Sequence, residues 1–104
     1  MVYRVRLTPR AVEDIGRIYR RVVQEAQTPD QQWYNQLIDK LYSLVTYPER
    51  CKVMEGFSKP GRVVRKLLYG RKPHIYLIYF DIIEDVVRII HIRHAARREP
   101  KKKG

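Results

Sequence analysis

The chain has 104 residues, 22 of them Lys or Arg and 11 Asp or Glu, so its formal net charge is +11. This length predicts one domain with a modest core, and a hydrophobic content of 44% excludes a solvated disordered chain. No apolar run reaches the roughly 18 residues of a membrane span, and the first residues do not form a signal-peptide core. The single cysteine excludes an intrachain disulfide and favours a cytoplasmic protein.

The chain begins with a predicted strand and helix. Residues 3–7 alternate between apolar and basic side chains, which is the period of a half-buried strand. Thr8 followed by Pro9 is typical of a helix N-cap with proline in the first turn. Apolar residues then recur at helical spacing from Ala11 to Val23.

A second helix start follows a short connector. Thr28 and Gln31 have the spacing of a capping box. The apolar stripe that follows runs through residues 33–45 and stops before Pro48. Because the connector is short, the two helices are predicted to fold back on each other as an antiparallel hairpin.

The second half of the chain predicts a sheet. Residues 48–61 contain several glycines and prolines and are interpreted as a surface loop, with a short extended piece at 51–54. Three strands are then predicted, at 62–69, 74–83 and 86–94. A tight Glu84-Asp85 connection joins the last two, so the three strands form an antiparallel meander.

The predicted fold is α+β, in the order β-α-α-β-β-β, with the helical hairpin packed on one face of an antiparallel sheet. Residues 1–98 form the predicted domain, and the basic residues 99–104 are a tail that we expect to be disordered. The other face of the sheet is then expected to be solvated or functional. Alternation alone leaves open which face meets the helices. It places Arg65 with Tyr69, and Arg88 with His94.

The basic residues of the sheet suit a polyanionic partner, because the net positive charge attracts nucleic acids and acidic proteins. Metal-independent RNA cleavage needs a base, an acid and a cation for the developing phosphorane charge. His94 or Tyr76 are the candidates for base or acid, and Arg65 and Arg97 for charge stabilisation. The predicted residues for contact with nucleic acid or another target are Lys66, Arg71, Lys72, Arg93 and Arg98.

Two sharper-looking motifs are discounted. His91 and His94 resemble a metal pair, but their odd spacing on a strand sends the rings to opposite faces. Cys51 lies among basic neighbours without a partner group and is interpreted as an ordinary thiol. The sequence therefore predicts no metal site and no cofactor. Trp33 and the helix tyrosines are interpreted as packing residues.

Four segments together resemble the RelE/ParE superfamily of type II toxin–antitoxin toxins, which includes plasmid stabilisation proteins. They are YRVRLTPRAVEDIGRIYRRV at 3–22, WYNQLIDKLYSLVTYPERC at 33–51, VVRKLLYG at 63–70 and VVRIIHIRHAARR at 86–98. The resemblance implies a compact toxin that a cognate antitoxin neutralises and that inhibits growth when free. By position, Arg65, His94 and Arg97 match residues that RNA-cleaving members use.

The superfamily has two branches, and they imply different targets. The RelE-like branch cuts mRNA on the ribosome, whereas the ParE-like branch poisons DNA gyrase. Leu67 and Leu77 stand where many RNA-cleaving members carry basic residues, which favours the ParE-like interpretation. The helical hairpin or the basic C-terminal end would then contact the target.

Two alternatives stay open at this point. The first alternative to a gyrase toxin is a metal-independent endoribonuclease of the RelE type. The second is a non-toxic module that binds nucleic acid or an acidic protein. Whether it is an enzyme is therefore undecided. An antitoxin is the expected partner in both toxin interpretations, its binding surface is not identified by the sequence, and no membrane contact is expected.

Overall fold

In the computed structural model of the chain, residues 2–25 and 30–97 are described, and they form two helices and a five-stranded sheet. The helices and strands are β1 (Arg4–Leu7), α1 (Pro9–Glu25), α2 (Asp30–Tyr42), β2 (Lys52–Val53), β3 (Arg65–Arg71), β4 (His74–Ile83) and β5 (Val86–His94). The α+β class and the element order are confirmed. The predicted tail at residues 99–104 lies outside the described residues.

The sheet has the strand order β1-β5-β4-β3-β2. Strands β3, β4 and β5 form the predicted antiparallel meander. The prediction of a wholly antiparallel sheet is wrong, because β1 pairs with β5 in parallel, with Arg4 opposite Val86. A parallel neighbour requires a long connection between the two strands. Along the chain, both helices and the other strands lie between β1 and β5. The side-chain alternation of β1 contains no information about this direction.

The helix starts follow the capping rules as far as the chain is described. The Thr8 hydroxyl accepts a hydrogen bond from the Ala11 N–H at 3.3 Å, which confirms the predicted N-cap. Thr28, the predicted cap of α2, lies outside the described residues. Helix α2 ends at Tyr42, and a short 3₁₀ turn at Ser43–Val45 continues its apolar stripe.

The core lies between the helices and one face of the sheet. Leu67, Tyr76, Ile78 and Ile92 are buried there from the strands. The helices contribute the buried residues Ala11, Ile15, Ile18, Val22, Trp33, Leu37 and Leu41. Packing of these apolar side chains is the main source of stability in a fold of this kind.

A β-bulge decides which side chains of β5 share a face. Tyr79 pairs with His91 but Phe80 pairs with Ile89, so Ile90 has no partner on β4. Strict alternation placed Arg88 with His94, and this prediction is wrong. Because the bulge reverses the alternation, Arg88 pairs with Asp81 on the face opposite to the helices.

That second face of the sheet is partly covered. The predicted strand at 62–69 begins only at Arg65, because the preceding loop folds across the sheet. Phe57 of this loop lies 5.5 Å from the ring of Tyr79, and Arg62 donates a hydrogen bond to Asp81 at 3.3 Å. The loop leaves Leu68 half exposed on the adjacent strand. The second face is therefore only partly available to a partner.

Candidate functional site

Three of the four candidate catalytic residues lie together at one end of the sheet. Tyr76 at the start of β4 pairs with His94 at the end of β5, and their rings are 5.2 Å apart. Burial lowers the pKa of His94, and the charge of Arg97, three residues after the end of β5, lowers it further. We call this end of the sheet, with the adjoining β3–β4 hairpin, the basic end.

Arg65 is not part of this group. It lies at the start of β3, four residues before Tyr69, which is opposite Tyr76. At about 3.3 Å per residue, this places Arg65 roughly 13 Å along the strand from the Tyr76 position. Its guanidinium donates hydrogen bonds to the carbonyl oxygens of Glu49 and Cys51, both at 2.9 Å. Arg65 therefore anchors the loop after α2.

His94 is held as a neutral ring with its proton on one defined nitrogen. The Ala96 N–H donates to His94 Nδ1 at 3.1 Å, so this nitrogen is an acceptor and carries no proton. The proton of the neutral ring is then on Nε2, which lies 3.3 Å from His74 Nδ1 and donates to it. Burial, together with the nearby Arg97 and His74, lowers the pKa of His94. Its basic nitrogen is thus already occupied.

Tyr76 is poorly placed for proton transfer to a bound substrate. Its side chain is 2% exposed, and its hydroxyl has no hydrogen-bond partner among residues 2–25 and 30–97. Burial raises the pKa of Tyr76. The ring packs edge-on against Trp33 at 5.7 Å, so Tyr76 belongs to the aromatic core.

Arg97 is held by the end of α1. Its guanidinium donates to both carboxylate oxygens of Glu25, at 2.8 and 3.0 Å. Glu25 also lies 3.5 Å from Arg21. A bidentate pair of this kind fixes the direction of the guanidinium, so Arg97 is held against the end of α1 where the chain leaves β5.

The predicted target-contact residues divide between two surfaces. Lys66 on β3 and Arg93 on β5 lie on the second face of the sheet, where Arg93 donates to the Tyr79 hydroxyl at 3.3 Å. Arg71 is the last residue of β3, and Lys72 follows it in the turn to β4. Both line a cleft beside α2. Arg98 lies outside the described residues.

Alternation along the strands did not identify a buried polar cluster that joins α1 to β5. Asp14 accepts hydrogen bonds from His91 Nδ1 at 2.6 Å and from the Ile92 N–H at 3.0 Å. Arg10 Nη2 lies 3.4 Å from His91 Nε2. The carboxylate closes the part of the β5 edge that β1 does not cover. The only signal in the sequence was an acidic residue on the apolar stripe of α1.

Many of the arginines form local pairs. Arg62 and Arg88 both bind the buried Asp81, and Arg4 binds Asp85. Within the described ranges no group of three or more His, Cys, Asp or Glu side chains is arranged to hold a metal ion. In the same ranges no helix is long and apolar enough to span a membrane.

Two helices packed on a five-stranded mixed sheet are consistent with the RelE/ParE fold, which defines the class of protein. The family model for the ParE toxin of the type II toxin–antitoxin system parDE matches residues 5–99. The chain therefore belongs to the ParE toxin family, and membership implies an antitoxin as a partner. No curated protein matches the chain.

Proposed function

We propose that this toxin inhibits growth by poisoning DNA gyrase and does not cleave mRNA on the ribosome. The family match supports the ParE-like branch. Gyrase is the target that the resemblance of the sequence to this branch implies. A gyrase target places the free toxin in the cytoplasm. The antitoxin keeps it inactive until it is released.

The observation that carries this proposal is that the residues RNA cleavage would need are buried or already engaged in contacts within the chain. A ribonuclease of this kind brings a base, an acid and a cation to one accessible phosphate. Here the unprotonated nitrogen of His94 already accepts a hydrogen bond from a backbone N–H group, and the Tyr76 hydroxyl is buried. Arg65 is committed to two carbonyl oxygens at the far end of β3.

The charge of the molecule supports a partner with an acidic surface. The second face of the sheet offers Lys66 and Arg93 beside the exposed Leu68. A mixed apolar and cationic surface is typical of protein interfaces, in which complementary charge speeds the encounter. We propose this face as the surface that contacts gyrase.

Two assays on the free toxin test the target. A supercoiling assay with purified gyrase is expected to show inhibition, and primer extension on translated mRNA is expected to show no new cleavage ends. Lys66→Glu is expected to weaken gyrase inhibition about tenfold. Arg20→Glu makes the same change of charge at an exposed position of α1, away from the second face, and serves as the matched control.

Ribosome-dependent cleavage ends without an effect on supercoiling would refute the proposal. Arg97→Ala is informative in that case, because removal of a cation that stabilises transition-state charge costs about 10²-fold or more in cleavage rate. Equal inhibition of gyrase by the Lys66→Glu and Arg20→Glu variants would exclude the second face as the contact surface.

A further inference from the structure

A cleft of about 390 Å³ lies between the start of α2 and the β3–β4 hairpin. Trp33 from α2, with Tyr69 and Tyr76 from the sheet, forms its inner wall. The rim consists of Gln32, Gln36, Gly70, Arg71, Lys72 and His74. The volume lies in the range of small-ligand sites, so the cleft has room for one or two side chains of a partner.

The charged side chains around the cleft, Arg71 and Lys72, are both cations and hydrogen-bond donors. Arg71 and Lys72 are exposed and form no ion pair with any residue that the structure describes. His74 is also at the rim, and its Nδ1 lies 3.3 Å from His94 Nε2. Trp33 is only 6% exposed, and its indole N–H is buried without an acceptor among the described residues.

We propose that the cleft binds a carboxylate side chain from an acidic segment of the antitoxin. The toxin carries a net charge of +11, so an acidic partner is electrostatically complementary. Gln32 and Gln36 lie one helical turn apart at the rim, and their amides both donate and accept, as a bound peptide backbone requires. The proposal depends on membership of the toxin family and not on gyrase as the target.

Nucleic acid is the less suitable occupant of this cleft. Proteins bind single-stranded bases by stacking them on exposed aromatic faces. The rings of Trp33, Tyr69 and Tyr76 pack edge-on or tilted against one another and are almost fully buried. They therefore offer no exposed stacking platform for a base.

Trp33 is the only tryptophan of the chain, so its fluorescence reports directly on the cleft. The probes are the acidic peptide acetyl-Glu-Leu-Glu-Glu-Leu-amide, the same peptide with Gln in place of Glu, and adenosine monophosphate. We expect a saturable change with the acidic peptide and at least about tenfold weaker binding of the Gln peptide. Adenosine monophosphate is expected to bind more weakly than the acidic peptide.

Calorimetry with the antitoxin purified from the native complex tests the same site in the full partner. The double variant R71E/K72E is expected to bind the antitoxin at least about tenfold more weakly than K52E/K59E, which has the same net charge and alters exposed residues elsewhere. The neutral variant R71Q/K72Q repeats the test if the charge reversal lowers the melting temperature.

Equal antitoxin affinity of R71E/K72E and K52E/K59E would overturn the proposal. Preferential binding of adenosine monophosphate, in competition with the antitoxin, would also overturn it and assign the cleft to nucleic acid. A negative result in the supercoiling assay, which uses the free toxin, would affect the gyrase proposal alone.

Discussion

Replacing Asp14 with Ala is expected to destabilise the free toxin by about 3–4 kcal/mol. Asp14 is 2% exposed, and its carboxylate accepts hydrogen bonds from Arg17, from the ring of His91 and from the Ile92 N–H. These bonds join α1 to the uncovered edge of β5. Loss of the carboxylate leaves the donors of the strand facing an apolar methyl group.

The three hydrogen bonds contribute unequally to this figure. Arg17 is about half exposed, so its ion pair adds little. The Ile92 N–H would be left buried and unpaired at about 1–3 kcal/mol, and the bond from His91 to a charged acceptor contributes about 1.5–3 kcal/mol. Bonds that share one acceptor oxygen are not additive, which places the total in the lower half of the combined range of about 2.5–6 kcal/mol.

Urea and thermal unfolding of the antitoxin-free toxin measure the effect. A loss of 3 kcal/mol corresponds to a fall in melting temperature of about 12–24 °C for a domain of this size. Glu13→Ala removes the exposed neighbouring carboxylate and is expected to change stability by less than about 0.5 kcal/mol. Asp14→Asn keeps an acceptor for the backbone and is expected to lie between the two.

The Asp14 effect also depends on pH with a defined sign. Burial raises the pKa of the Asp14 carboxyl, but the hydrogen bonds from His91, Ile92 and Arg17 outweigh burial and hold this pKa below its usual value. As the pH falls, the unfolded chain therefore binds the proton first. The stabilisation is complete above about pH 4 and is lost as the pH falls through the folded pKa.

Two results would refute this account of Asp14. One is a stability of the Asp14→Ala variant within about 0.5 kcal/mol of the parent. The other is a difference between the two proteins that stays constant from neutral pH to well below pH 4. The first would show that the carboxylate contributes nothing in net terms, and the second that its charge is not involved.

Three further predictions concern the basic end and the loop after α2. Gly70→Ala is expected to cost about 2 kcal/mol or more in unfolding free energy, because Gly70 has φ +102 and an added Cβ would meet the His74 carbonyl oxygen. NMR titration of His94 is expected to give a pKa below 6.5, mainly because the ring is buried, so stability falls as the pH drops below about that value. Burial raises the pKa of the Cys51 thiol, so its reaction with a disulfide reagent is expected to be slow until urea unfolds the chain.

Each of these predictions has a control. Gly56→Ala adds a Cβ with no atom within 4 Å, and an equal loss for both glycines would contradict the backbone argument. A His94 pKa above 6.5 would mean that burial and the charge of Arg97 do not control the ring. A native Cys51 that reacts as fast as the unfolded chain would show that the thiol is accessible.

The fold class could be predicted from local patterns because those patterns are physical requirements of single elements. The cap at Thr8 and the apolar stripe of α1 define a helix without reference to the rest of the chain. The alternation in β4 and β5, with only two residues between them, defines a hairpin in the same way. These features also carried the resemblance to the toxin superfamily.

Tertiary structure decided which basic residues meet. The bulge at Ile90 moved Arg88 to the face of Asp81, and local alternation cannot reveal a bulge that depends on the partner strand. The role of Arg65 was decided by carbonyl oxygens 14 and 16 residues earlier in the chain. Contacts between distant residues depend on how the elements pack, which periodicity does not encode.

The sequence by itself determined that this is a basic α+β protein, since composition and element order require no knowledge of packing, and four of its segments carried the resemblance to the RelE/ParE superfamily. Only the tertiary structure placed His94 under a backbone N–H and Arg97 against Glu25, and brought donors from α2 and the β3–β4 hairpin around one cleft. The physical reason is that the state of a polar group depends on the partners that burial gives it, and those partners come from distant parts of the chain.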